Sequence, residues 1–184
     1  MIEETIDSKK NENPSMMNLA FKWALIIAFS VIVIYIIVYL AGSATNKNVG
    51  WINYALMLIG ASFATKVYRD EKCGGYISFG RAFQFGFLTV LIVGIITTIY
   101  SYFFFTYIAP ELVDQILKEA ENNMLNSGQS EEQIELAMSY MKKFMTPGWM
   151  AFWGMMGSVF LGAIISLLSA AIMKKENKEL QPPA

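Results

Sequence analysis

The chain has 184 residues, of which 55% are hydrophobic and 16% charged, with a net charge of −1 and a mean hydropathy of +0.41. Soluble domains carry about a quarter charged residues, so this is the composition of a membrane protein, and a near-neutral chain gives no electrostatic footprint for nucleic acid. The single cysteine, Cys73, excludes an internal disulfide and a cysteine-cluster metal site; the absence of histidine excludes Ser-His hydrolysis and disfavours zinc and di-iron chemistry, which draw on imidazole or clustered carboxylates.

Residues 1–17 read as a disordered cytoplasmic tail. Leu19–Ala41 is then a continuous apolar run broken only by Lys22, Ser30 and two tyrosines, and Val49–Val67, Phe83–Ile108 and Gly148–Met173 are similar. A helix needs about 20 such residues to cross a bilayer, and lipid offers backbone groups no water, so the runs must be helical. The expectation is an all-α membrane protein with four transmembrane helices over about 19–41, 49–67, 83–108 and 148–173. They form a single domain, 18–173, followed by a cytoplasmic tail, 174–184. The first run exceeds the roughly 7–15 apolar residues of a signal peptide and is expected to stay in the membrane.

Four spans place both termini and the 69–82 segment on one side, and the 42–48 and 109–147 segments on the other. Of the fourteen Lys and Arg residues, ten fall on the first side when Lys22 and Lys66 are counted there, and four on the second. The positive-inside rule assigns the first side to the cytoplasm. Trp51, Tyr54, Tyr100, Tyr102, Tyr107, Trp149 and Trp153 lie near the outer helix ends, and Trp23 and Tyr68 near the inner boundary, where amphipathic rings sit at the headgroup level.

Between the second and third runs stands CGGYISFGRAFQFGF, residues 73–87. Its Gly75–Ala82 portion approaches the phosphate-loop pattern G-x-x-x-x-G-K-[ST]. Arg81 replaces the lysine, Ala82 replaces the hydroxyl that holds magnesium, and no strand precedes it. The stretch reads instead as a cytoplasmic turn built from Gly74, Gly75, Ser78, Gly80 and Arg81. The first two glycines reverse the chain, Ser78 caps the third helix, and Arg81 is placed to reach lipid phosphate.

Residues 110–146 predict an extracytoplasmic amphipathic helical hairpin. Pro110 suits a helix start, and Leu112, Val113, Ile116, Leu117, Ala120 and Met124 recur at helical spacing. Gly128 ends that helix, and Ser130–Gln133 forms a capping box. Ile134, Ala137, Met138, Met141, Phe144 and Met145 line a second apolar face. Seven acids against three lysines argue against anionic lipid as the partner of these faces.

Small residues recur at every fourth position, which puts them on one helix face and lets backbones approach closely. Gly154, Ser158, Gly162, Ser166 and Ala170 mark the fourth run as the centre of the bundle or a dimer seam. Ala20, Ala24 and Ala28 do the same at the start of the first run. Away from their ends the runs contain no ionisable side chain, which disfavours pumps, proton-coupled transport and voltage sensing. Asn53, Ser62, Thr65, Gln84, Thr89, Thr97, Thr98, Ser158, Ser166 and Ser169 remain, together with tyrosines. They are expected to bond between helices or to their own backbone, with a polar path as the alternative. Met138, Met141 and Met145 are soft donors suited to Cu(I), but a stripe at helical spacing reads as packing. No catalytic residue, cofactor-binding residue, metal ligand or cofactor is expected.

The four runs, the inner turn GGYISFGRAFQFGF and the outer segment opening as YIAPEL together resemble a family of small bacterial membrane proteins catalogued as domain of unknown function, number 4199. The resemblance runs from about Asn18 to Met173. It implies a bacterial inner-membrane protein and, since the family carries no assigned activity, brings no site residue with it. The residues themselves point to a non-enzymatic protein of the lipid bilayer that associates with a second copy or an unidentified membrane partner. A carrier or pore component for a neutral or lipid-like solute is the alternative.

Overall fold

The computed structural model describes residues 16–46 and 48–175. Among these residues the chain forms six α-helices: α1 Met16–Leu40, α2 Asn48–Lys72, α3 Phe79–Phe103, α4 Glu111–Asn126, α5 Glu131–Phe144 and α6 Pro147–Met173. A π-helical turn, Phe104–Ile108, prolongs α3. The two tail segments expected from sequence lie mainly outside the described residues, and α1 already begins at Met16.

The apolar runs suggest four spans; length and apolarity together qualify three, α1, α3 with its π turn, and α6. α2 has 25 residues, as many as α1. Asn53, Tyr54, Ser62 and Thr65 dilute its apolar stretch, and Lys66 closes it.

α1, α2, α3 and α6 lie side by side in alternating direction. One buried cluster joins Leu19 and Ala20 from the start of α1, Ala64 and Tyr68 from the end of α2, Ala82 and Phe85 from the start of α3, and Ala170 from the end of α6. We call this the basal end. At the opposite, distal end, Phe104, Ala109 and Leu112 are buried against Tyr35, Tyr39, Ala44, Tyr100 and Phe105. Here the π turn hands the chain to α4. Pro110 has no N–H with which to extend the α-helical ladder, and the Ala109 amide instead closes the wider ring onto the Phe104 carbonyl at 2.9 Å.

The stripe of small residues suggests α6 as the centre of the bundle. The structure puts α3 there: within the most apolar 18-residue stretch of each helix, 39% of the residues are buried in α3, against 28% in α6 and 22% in α1. The reason is position, since α3 packs on α1, α2 and α6 at once. The α3–α6 seam is an antiparallel register of small against larger residues. A Cβ added to Gly86 would sit 3.5 Å from Ser166 Cβ, one on Gly162 would lie 2.9 Å from Val90 Cγ1, and one on Gly94 would strike the Ser158 side chain. Each step advances one helix by four residues and retreats along the other by four. Ala82 and Ala170 continue the register basally in the shared cluster. Ala24 and Ala28 of α1 face Val93 of α3, and Gly60 of α2 admits Ile27 of α1.

Lipid provides no hydrophobic drive between helices, so close van der Waals packing takes its place. Inserting a methylene into such a seam typically costs about 1–3 kcal/mol. Gly162→Val and Gly94→Val are therefore each expected to lower the thermal midpoint of the detergent-purified protein by a margin equivalent to about 2 kcal/mol. Gly154→Ala, where an added Cβ meets nothing within 4 Å, should leave it level or slightly raised by the better helix propensity. Equal effects at all three positions would rule out this register.

Candidate functional site

The basal end is a closed clasp. Gly74 and Gly75 hold φ of +63° and +85°, which a side chain would strain, and so turn the chain from α2 toward α3. The Ser78 hydroxyl accepts the Arg81 amide at 3.4 Å and caps α3. Gly80 lies within the first turn of α3 with open space around it rather than in the connection. Arg81 Nε donates to the Tyr68 hydroxyl at 3.1 Å, and its guanidinium lies 5.7 Å from the Tyr68 ring. Tyr68, expected at the headgroup boundary, is instead 3% exposed and stacked on Phe85 at 4.3 Å. Its ring fills the interior while its hydroxyl reaches Arg81.

The exit of α6 completes the clasp. Ile77 and Lys175 exchange two backbone hydrogen bonds of 2.8 and 3.0 Å, and Arg69 donates to the Met173 carbonyl at 3.2 Å. Asp70 lies beside Arg69 at 2.7 Å, and the guanidinium holds its carboxyl below the usual carboxylate range. Nothing in the hydropathy pattern couples residue 77 to residue 175; this contact is visible only in three dimensions. Polar groups in the basal half are paired locally or packed tightly. Thr65 donates to the Ala61 carbonyl, Thr89 to that of Phe85, and Ser169 to the Thr65 hydroxyl. Ser166 is fully buried in the seam, with no partner for its hydroxyl.

The distal half is different. The register that pairs Gly86 with Ser166 and Gly94 with Ser158 would next bring Thr98 against Gly154. There the seam parts around a cavity of about 160 Å³, lined by Thr97, Thr98 and Ser101 of α3 and by Met150, Ala151 and Gly154 of α6. Gly154 is exposed, which corrects its expected role as a packing residue. The other members of the stripe behave differently: Ser158 fills the space at Gly94, and Gly162, Ser166 and Ala170 are buried. Ala20, Ala24 and Ala28 are fully buried on α1.

On the other side of α3 lies a larger cavity of about 290 Å³. α1 contributes Val31, Ile32 and Tyr35 to its wall, α2 contributes Asn53 and Met57, α3 contributes Thr97, Tyr100 and Ser101, and the π turn contributes Phe105. Thr97, Ser101 and Phe105 line both cavities. None of the lining residues is charged. Asn53 Oδ1 and the Tyr100 hydroxyl oxygen are buried without a hydrogen-bond partner in the chain. Such orphaned groups are rare in native interiors, because leaving one unpaired costs about 1–3 kcal/mol. The π turn that supplies Phe105 forms one edge of the site, in keeping with the frequent placement of π turns at functional sites.

Of the polar residues singled out from sequence, this cavity gathers Asn53 and Thr97. Thr89 and Ser158 lie elsewhere, in the basal packing and in the α3–α6 seam. The sequence places Tyr100 in an aromatic belt and Tyr35 among the intramembrane tyrosines, and gives no role to Ser101. The four-residue spacing of Thr97, Ser101 and Phe105 was the available signal, since it places them on one face of α3. The site holds no nucleophile beside a base and no pair of carboxylates; it is equipped to hydrogen-bond an uncharged group in apolar surroundings.

The family model described as "Protein of unknown function (DUF4199)" matches residues 22–175. The chain belongs to this family. The matched segment runs from the first turns of α1 to Lys175, so the basal clasp and the distal cavity both lie within it. No curated protein and no solved structure matches the chain.

An unpaired buried amide oxygen on a half-buried residue is a burden on the fold. Replacing it by an apolar side chain of similar shape removes that penalty. Asn53→Leu should therefore raise the thermal midpoint of the purified protein, by a margin equivalent to about 1 kcal/mol. A fall of similar size would show that Asn53 serves the fold.

Proposed function

We propose that this protein is a non-enzymatic, four-span component of the bacterial inner membrane that holds a neutral or lipid-like solute in the outer half of its bundle. The observation that carries the reading is the uncharged cavity with two buried polar atoms, Asn53 Oδ1 and the Tyr100 hydroxyl, that find no partner in the chain. A pore would need polar groups along the whole bundle. The tight basal packing of Thr65, Thr89, Ser166 and Ser169, all fully buried, favours a blind site over a through path.

α2 is the fourth span in this reading. It packs against α1, α3 and α6, and three of the four residues that dilute its apolarity turn inward: Thr65 is buried, Ser62 Oγ is buried, and Asn53 lines the cavity, while Tyr54 stays exposed. Trp51, Ile52, Ile59 and Phe63 form its exposed face, which suits lipid. The excess of Lys and Arg at the basal end makes that end cytoplasmic, with both termini inside and the α4–α5 pair outside. α4 and α5 pack on each other through Leu117, Ile134 and Met138. α4 is joined to the bundle by Leu112 and by the Tyr39 hydroxyl, which donates to Glu111 Oε1 at 2.8 Å. The pair forms a hairpin over the distal end. A second reading, association with a membrane partner, draws on this hairpin, where Leu125, Leu136, Tyr140 and Phe144 remain exposed.

Topology is checked with maleimides on intact cells. Cys73 should react only after permeabilisation, whereas Ser127→Cys in a Cys73→Ser background should react from outside. Labelling of Cys73 by an impermeant reagent on intact cells would defeat the assignment. Ligand holding is checked by native mass spectrometry of the gently solubilised protein. Wild type should carry a small-molecule adduct, and Ser101→Leu, which fills the cavity from α3, should lose most of it. Absence of any adduct in wild type, with no small molecule raising its thermal midpoint, would refute the binding reading.

A further inference from the structure

The distal cavity is graded along the membrane normal. α1 and α3 run toward the distal end and α2 runs away from it, so Tyr35, Asn53, Tyr100 and Ser101 share the distal level. Val31, Ile32 and Met57 lie about one helical turn deeper, roughly 5 Å. Thr97 also lies deep, but its hydroxyl is occupied, donating to the Val93 carbonyl at 2.9 Å and lying 3.2 Å from that of Gly94. The floor is therefore effectively apolar and the mouth polar.

Charge and hydrogen-bonding capacity narrow the ligand further. A phosphate or carboxylate headgroup would need a cation, and an amine would need an anion, because burying an unpaired charge is prohibitive. No lining residue supplies either. Asn53 presents to the cavity its Oδ1, which accepts and has no partner in the chain, so a ligand that donates completes it. The Tyr100 hydroxyl can donate or accept and can complete the same headgroup. The cavity holds about 290 Å³, the share of roughly ten water molecules in the liquid. That admits a compact headgroup and the first segment of one chain.

Resting on the reading of this cavity as a binding site, we propose that its ligand is an uncharged lipid alcohol, of the monoacylglycerol or long-chain alcohol class. Its hydroxyl donates to Asn53 Oδ1 beside Tyr100, and its chain passes Val31, Ile32 and Met57 toward the membrane centre. Lipids with phosphocholine heads lack the donor, and fatty acids carry a charge the site does not match.

The test is photoaffinity labelling of the full-length protein in phosphatidylcholine vesicles. Three probes share one diazirine-bearing acyl chain and differ in headgroup: glycerol ester, carboxylate and phosphocholine. The glycerol ester should label peptides containing Val31–Tyr35 or Met57, with competition by unlabelled monoacylglycerol. Asn53→Leu should reduce that labelling about tenfold, the effect of one lost hydrogen bond to a buried group, without a fall in thermal midpoint. Tyr100→Phe should reduce it several-fold. Equal labelling by the carboxylate or phosphocholine probe would overturn the headgroup assignment while leaving the cavity a binding site. Undiminished labelling of a folded Asn53→Leu variant would overturn the placement of the hydroxyl. No cavity labelling by any probe would remove both this proposal and the binding reading beneath it.

Discussion

Close approach of α3 and α6 is the constraint on which the rest of the molecule depends. In a lipid environment two helices gain little from apolar side chains alone, since the tails are equally apolar. Gly86, Gly94 and Gly162 instead let Ser166, Ser158 and Val90 reach the opposing backbone. With α6 seated on one face, α3 offers its remaining faces to α1 and α2. The central position of α3 follows, as does the assignment of its residues to several environments at once. Its basal residues are packed and its distal residues line cavities.

The bundle is tight at one end and loose at the other because the register of small residues runs out. Basally, Ala82, Ala170, Ala64 and Ala20 meet in one cluster, and the Ile77–Lys175 bridge ties the α2–α3 turn to the end of α6. Distally, bulky rings replace the small residues. Phe104 is ringed by Tyr35, Tyr39 and Tyr100 at 5.2–5.4 Å. Aromatic pairs at such distances prefer edge-on or offset arrangements, which hold helices further apart than glycine contacts do. The π turn adds a residue's worth of width at the same level. Separation of the helices by these rings and this turn leaves the space in which Asn53 and Tyr100 stand unpaired.

A site of this kind separates stability from function. On the proposed reading, the unpaired Oδ1 of Asn53 costs stability and serves a donor that the chain does not supply. Stability is then supplied elsewhere, by the basal clasp and the α3–α6 seam. The cavity is uncharged, so the recognition proposed for it draws on hydrogen-bond polarity and shape. Such a site distinguishes headgroups mainly by what it leaves unpaired.

Much of this architecture was legible in sequence. Four long apolar runs dictate helices, because backbone in lipid must satisfy itself within the helix, and the capping box at Ser130–Gln133 appears in the structure. The stripe from Gly154 to Ala170 announced a close helix contact through its spacing alone. Spacing does not name the opposing helix, so only tertiary packing made α3 the centre and left Gly154 open. For the same reason the sequence marks Tyr68 as a boundary ring, whereas packing buries it against Phe85. The polarity of Asn53 and Tyr100 was evident from the start. Their convergence was not, because it depends on α1, α2 and α3 meeting at one level, a property of helix placement that no single helix encodes.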